Sequence, residues 1–277
     1  MGYTLYDIVQ RVAREIGVLI EGTATGGSST TIIDTVYLAN RYGDDHFNAG
    51  QGLVLYDAAG AAAAPQGEWG RITDFVSSTG VVTITALTTA VAAGDRYGLI
   101  EPRFTLDDII QAINRALGET PIENTDITSV TTDSETLEYS LPTTIIDQNI
   151  EVWIQRVTDD ANANYWIRYD DWYIQSTATG TAKLLVFRSQ PDYDYALKLV
   201  YRTYHPPLYA RTDKLNEAID VNRIAMEAAY KCLEALLARR GVNDPVLEKR
   251  LGELGPRVFA AEARAPIEKS TIKYFEV

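Results

Sequence analysis

The chain has 277 residues, enough for two domains or for one domain with a sizeable insertion, and it can bury a core without disulfide staples. A formal net charge of -13 argues against a surface that grips nucleic-acid phosphates, because such binding draws on clustered Lys and Arg, although an acidic wall can let a polyanion pass without sticking. One cysteine, Cys232, excludes an intrachain disulfide, and the absence of a basic-then-apolar N-terminus or of any apolar run of about 20 residues predicts neither a secretory signal nor a membrane span.

Thr4 followed by Asp7 opens the first predicted helix, with a hydroxyl and a carboxylate placed to satisfy the free amide donors of the first turn. Leu5, Ile8, Val9, Val12, Ala13 and Ile16 recur at helical spacing on one face, and Gly17 can supply a left-handed stop. From Gly22 the grammar changes to short β-prone runs between turn signals, and strands are predicted at 30–35, 52–56, 69–76, 81–87 and 96–101. The small-residue run 58–64 reads as a loop or hairpin tip. Five short strands at this spacing predict a small antiparallel barrel or sandwich.

Helical grammar returns at Thr105 in nearly the same words. Thr4-Leu5-Tyr6-Asp7-Ile8 is echoed by Thr105-Leu106-Asp107-Asp108-Ile109, and the echo continues through Gln10 and Gln111, Arg14 and Arg115, and Gly17 and Gly118, at a constant offset of 101. Two readings fit: equivalent helices packed side by side with the β segment between them, or convergence on one capped amphipathic pattern.

A second β region follows, with strands predicted at 135–139, 151–157, 165–168, 172–175, 182–187 and 196–204. Its aromatic cluster of Tyr165, Trp166, Tyr169, Trp172 and Tyr173 reads as core or cross-strand pairs, with a sugar-binding platform as the alternative. His205-Pro206-Pro207 closes the region. A third helix is predicted over 213–240. A fourth is predicted from Asp244-Pro245, interrupted at Gly255-Pro256 and fading near Ala265-Pro266. The terminal segment 271–277 is β-prone and either folds back on its own chain or adds a strand to a neighbour.

Little in the chain spells chemistry. His46 and His205 are the only histidines, neither stands in a metal-ligand spacing, and no Gly-x-Ser-x-Gly elbow occurs. The glycine-rich stretches 22–27 and 177–183 lack the Gly-Lys-Ser/Thr ending of a phosphate loop. Paired carboxylates at Asp44-Asp45, Asp107-Asp108, Asp159-Asp160 and Asp170-Asp171 read as solvated turns and helix starts, against glycoside hydrolysis or calcium binding as the chemical alternative. No catalytic, cofactor-binding or metal-ligating residue is therefore expected, and no cofactor.

Asp45-His46-Phe47-Asn48-Ala49-Gly50, Leu53-Val54-Leu55-Tyr56, Gly70-Arg71-Ile72-Thr73-Asp74-Phe75 and Gly94-Asp95-Arg96-Tyr97 together resemble a small β module that recurs in virion proteins of tailed bacteriophages. The frame of short amphipathic helices, an interrupting β insertion, a long C-terminal helix and an extended tail resembles the head-to-tail adaptor, or connector, proteins of the phage neck. That resemblance implies a structural, non-enzymatic protein that assembles into a ring, usually dodecameric, beneath the portal. It would join capsid to tail and let viral DNA pass without specific binding. It further implies the portal protein and tail or collar proteins as partners, a place in the virion neck after assembly in the host cytoplasm, and no membrane partner. Portal docking would fall on the tail, through Ile272, Tyr274, Phe275 and Val277.

The resulting expectation is an α+β chain, a helical bundle of about four helices with two inserted antiparallel β modules, each a small barrel or sandwich. Residues 1–21, 102–125 and 210–268 would form the bundle, 22–101 the inserted barrel, 126–209 the second module and 269–277 the extended tail. The rival functions are a tail-completion protein, a receptor-binding fibre subunit with carbohydrate-facing aromatics, and a polysaccharide hydrolase working through Asp170 and Asp171.

Overall fold

The computed structural model describes residues 2–48, 52–58, 65–127, 132, 136–143, 145, 150–156, 165–176, 183–189, 196–240 and 244–264. The chain divides into two compact units, one built from Met1–Leu117 and Pro207–Val277, the other from Gly118–Pro206.

In the first unit, helix α1 (Leu5–Ile16) begins at a full capping box. The Thr4 amide and hydroxyl both donate to Asp7 Oδ2, at 2.9 and 2.8 Å, and the Asp7 amide donates back to Thr4 Oγ1 at 3.4 Å. Gly17, at φ 75°, ends it. Helix α2 (Leu106–Glu119) repeats the device, with the Thr105 amide and hydroxyl donating to Asp108 Oδ2 at 3.0 and 2.8 Å and Asp108 N donating to Thr105 Oγ1 at 3.1 Å. Gly118 does not stop this second copy, which continues to Glu119.

Between the two helices lie seven strands: β1 (Leu19–Thr23), β2 (Gly26–Gly27), β3 (Thr31–Ile33), β4 (Gly52–Asp57), β5 (Trp69–Val76), β6 (Val81–Ile84) and β7 (Arg96–Ile100). All pairings are antiparallel, in the order β1-β7-β4-β5-β6-β3-β2. The two outer strands of that order are halves of one bent run. Ala24 N donates to Asp95 O on the β7 side at 2.8 Å, and Thr25 N donates to Ile33 O on the β3 side at 2.7 Å, so the run joins both edges and the sheet closes into a barrel. The opposite corner is β5, whose first residues pair with β4 and whose last pair with β6, with the register slipping between Ile72 and Asp74. Ile32, Leu38, Phe47, Leu55, Ile72, Phe75, Val82, Tyr97 and Leu99 fill the interior.

Helices α3 (Val221–Arg240) and α4 (Pro245–Arg264) complete this unit, α1 packing on α3 and α3 on α4. A strap ahead of α3 is sewn to both earlier helices. Leu5 N donates to Asp213 O and Leu215 N to Tyr3 O, each at 2.8 Å. The Asn114 side chain on α2 grips the Leu208 backbone in both directions, its amide donating to Leu208 O at 2.9 Å and its oxygen accepting from Leu208 N at 2.8 Å. The main chain near Asp213 is spent on these bonds, so α3 starts at Val221 and not at the expected 213. The predicted break at Gly255-Pro256 is also corrected, since α4 runs through Pro256. An internal proline costs about 3 kcal/mol in a helix, and burial of Leu247 and Leu254 offsets it here.

The second unit holds two antiparallel sheets. β8 (Pro121–Asp126), β10 (Glu151–Arg156), β11 (Tyr165–Tyr169) and β14 (Leu197–Tyr204) form one in the order β11-β10-β14-β8. β9 (Glu138–Ser140), β12 (Trp172–Ser176) and β13 (Lys183–Phe187) form the other in the order β12-β13-β9. Val152, Leu197, Leu199 and Tyr201 from the first share one core with Leu185 and Phe187 from the second.

This architecture overturns the expected helical bundle of about four helices with two inserted antiparallel β modules. Among the described residues there are four helices against fourteen strands, and the molecule is β-rich. The misreading has a physical cause: an apolar helical stripe states that a face is covered, not what covers it. On α2, Leu106 lies over Gly52 of β4, where a Cβ would stand 3.0 Å from the leucine Cβ. Part of the stripe read as a helix–helix seam is thus spent on the barrel.

Candidate functional site

The four tail positions predicted to meet the portal, Ile272, Tyr274, Phe275 and Val277, lie outside the described residues, as do Asp159 and Asp160. The described residues among those that carry the virion-module resemblance lie within one barrel, and Ala49 and Gly50 lie outside the described residues. Phe47 is fully buried and meets the edge of Phe75 with ring centroids 5.1 Å apart. Asp45 turns the chain at φ 60°, donates its amide to Phe75 O and receives Asn48 Nδ2 at 2.6 Å. Gly94, at φ 97°, and Asp95 make the turn that meets Ala24 at the closure. Arg71 reaches out of the barrel to α2 and holds Asp107 by two bonds, at 2.7 and 2.5 Å. Those bonds keep the Asp107 carboxyl below its ordinary range against the opposing effect of partial burial.

Tyr97 and Asp34 form the barrel's buried polar pair, the hydroxyl donating to Asp34 Oδ2 at 2.5 Å. Gly22 makes room for it, because a Cβ there would collide with the tyrosine hydroxyl. Burial, then the hydrogen bond and charge of Asp34, push the Tyr97 hydroxyl far above its ordinary range and keep it a donor.

Among the described residues the aspartate pairs and histidines make local structural contacts. Asp44 accepts from Ser77 N at 2.6 Å, Asp170 pairs with Arg168 at 2.9 Å, and Asp171 accepts from Ser189 Oγ at 2.7 Å. His46 stacks on Tyr42, and His205 Nδ1 lies 2.6 Å from Pro206 O. Of the aromatic cluster, Tyr169 and Trp172 pack on the second unit's core while Tyr173 is exposed. Among the described residues no group of three or more His, Cys, Asp or Glu could hold a metal ion, and no helix is long and apolar enough to cross a membrane.

The repeated helix does more than repeat a cap. Two grooves run along α3, a wider one of about 370 Å³ against α1 and a tighter one of about 60 Å³ against α2. Tyr3, Asp7, Gln10, Arg11 and Arg14 line the first; Phe104, Asp108, Gln111, Ala112 and Arg115 line the second, each at the same offset of 101. The α1 groove is internally neutralised: Arg14 Nε pairs with Glu21 at 3.0 Å, Arg11 donates to Asn222 Oδ1 at 2.7 Å, and Glu15 pairs with Arg257 at 3.1 Å.

The α2 groove is cationic. Arg103, Arg115, Lys231 and Arg239 surround the single lining carboxylate of Asp108. Asp108 is already engaged by Thr105 and by Arg239 at 2.8 Å; burial works against its ionisation, and these bonds outweigh that and hold the carboxyl below its ordinary range. Lys231 stands 3.8 Å from Glu227. Arg103 and Arg115 are exposed, and no ion pair holds either among the described residues. At the groove floor, burial and the nearby Asp108 push the Cys232 thiol up to about 12. No spacing rule assembles cations from 103, 115, 231 and 239; the one available signal was the identity of Arg14 and Arg115, two positions off the apolar stripe. No protein-family model matches the chain, and no curated protein matches it.

Proposed function

We propose that this chain is a structural protein of a tailed-bacteriophage virion, a head-to-tail adaptor that forms a ring beneath the portal, joins capsid to tail and leaves a channel for DNA. The observation that carries this reading is that the residues of the virion-type resemblance act together. Asp45, Phe47, Phe75, Gly94, Asp95 and Tyr97 supply the turns, core and closure of one barrel, and that barrel sits between two copies of one capped helix. The charge of -13 suits a channel that a polyanion must traverse without adhering.

The portal is the partner that the C-terminal segment would engage, with Ile272, Tyr274, Phe275 and Val277 as its apolar contacts. The test is to purify the full chain with its portal protein and image the complex by electron microscopy, alongside native mass spectrometry. A ring on the portal's tail-facing side is the expected result, and removal of residues 270–277 should release it while the fold persists. Absence of a ring, or undiminished portal binding by the shortened chain, would refute the ring or the tail contact respectively. A trimer that retains glycans would favour a fibre subunit instead.

A further inference from the structure

We infer that the α2–α3 groove is the receiving half of a contact between copies of this chain, and that its occupant is a carboxylate-bearing segment of a second copy. This rests on the ring reading and names a surface that the ring would use. Arg14, which lines the α1–α3 groove, is met by the Glu21 carboxylate at 3.0 Å. At the same offset of 101, the counterpart of Glu21 is Ile122, so the second repeat supplies no carboxylate of its own at that position. Arg115 and Arg103 are exposed beside Lys231 and Arg239, and Asp108 is already spent on its cap and on Arg239.

At about 60 Å³ against about 370 Å³ for the α1–α3 groove, the α2–α3 groove is the tighter of the two and suits a single side-chain group. The whole chain is rich in carboxylates, with 38 Asp and Glu against 25 Lys and Arg. A cationic groove on an acidic chain is therefore complementary to other copies of itself. A contact in which the groove of one copy takes a carboxylate from elsewhere on the next is heterologous, and it makes a ring where the rotation between copies closes.

The full-length chain carrying Arg103→Glu with Arg115→Glu should lose its oligomer in native mass spectrometry and sedimentation, with assembly weakened roughly tenfold or more. Arg103→Gln with Arg115→Gln should weaken it less, and added salt should weaken the wild type. Both side chains are exposed, so thermal melts should stay at the wild-type midpoint and separate lost assembly from lost folding. In a third variant, Arg115→Lys, zero-length carbodiimide coupling should join Lys to an Asp or Glu of another copy, which mixing heavy-isotope and ordinary chains would reveal. Intact rings in the charge-reversed chain, or coupling only within one chain, would overturn the groove proposal and leave the ring reading standing. A wild-type chain that never forms rings would sink the ring reading itself. If the reversed chain kept its oligomer but released a duplex DNA that the wild type retained, the groove would be a phosphate site and this proposal wrong.

Discussion

Replacing Tyr97 by Phe removes one oxygen from the centre of the barrel and leaves Asp34 short of a donor. Asp34 is 1% exposed; its Oδ1 takes amide hydrogens from Val36 and Tyr37 at 3.0 and 2.8 Å, and its Oδ2 takes the Tyr97 hydroxyl at 2.5 Å. A hydrogen bond to a charged group contributes about 1.5–3 kcal/mol, and water has no ready path to the vacated place. A loss of about 2 kcal/mol in a unit of this size lowers the melting midpoint by about 4–8 °C, measurable by calorimetry or urea titration. Gly22→Ala should also destabilise, because its Cβ would meet the Tyr97 hydroxyl and ring. Combined with Tyr97→Phe, that collision is partly relieved, so the double variant should lose less than the sum of the singles. A midpoint unchanged in Tyr97→Phe, or strict additivity of the pair, would refute the account of the closure.

Glu68 gives a prediction with a pH sign. It is 7% exposed, takes Thr88 N at 2.9 Å and Arg211 Nη2 at 3.2 Å, and these bonds hold its carboxyl below the ordinary 4.5 although burial alone would raise it. A depressed folded-state value stabilises above the unfolded value and is lost as pH falls through the folded one. Glu68→Gln should therefore cost about 1–2 kcal/mol near neutral pH, and its urea midpoint should converge on the wild type as pH falls below the ordinary 4.5 and through the depressed folded-state value; a gap that stays constant down to acid pH would refute it. The Cys232 thiol, 3% exposed and pushed up to about 12, should resist aromatic disulfide reagents in the native protein at pH 8 and react only on unfolding. Rapid native labelling would show that the groove floor is open.

What could be read from the residues divides along local and non-local lines. Thr4 with Asp7, and Thr105 with Asp108, are local devices, and both caps form as their spacing dictates. Trp69–Val76 and Val81–Ile84 were legible because their apolar positions face one core. Leu19–Thr23 and Gly26–Gly27 were not, because Gly22 and Gly27 read as turn residues. The reason for glycine at 22 is the Tyr97 ring arriving from 75 residues away, which no window around it contains. Pro121–Asp126 was hidden by its polar composition, and its pairing with β14 from Leu199 to Tyr204 supplies the order its own residues do not. The weight given to helices failed for the same kind of reason: Leu106 was read as a seam toward another helix, and it covers Gly52 of the barrel.

The repeat at offset 101 had two explanations, and the grooves discriminate between them. Convergence on a capped amphipathic helix accounts for Thr and Asp at the cap and for Leu5 and Ile8 with Leu106 and Ile109, since any helix that starts there and buries one face selects those residues. It gives no reason for Gln10 with Gln111 or Arg14 with Arg115, which belong to neither the cap nor the buried stripe. Those are the residues that line matching grooves against α3. The positions that differ follow the same logic. Arg11, which reaches Asn222, is replaced by Ala112, and Glu21, which neutralises Arg14, by Ile122, so the second groove has lost internal partners and kept its cation. Equivalent helices that diverged in how their grooves are filled explain both the identities and the differences, although α1 packs chiefly on α3 and not side by side with α2 as that reading expected, and they leave Arg115 as the residue on which the difference turns.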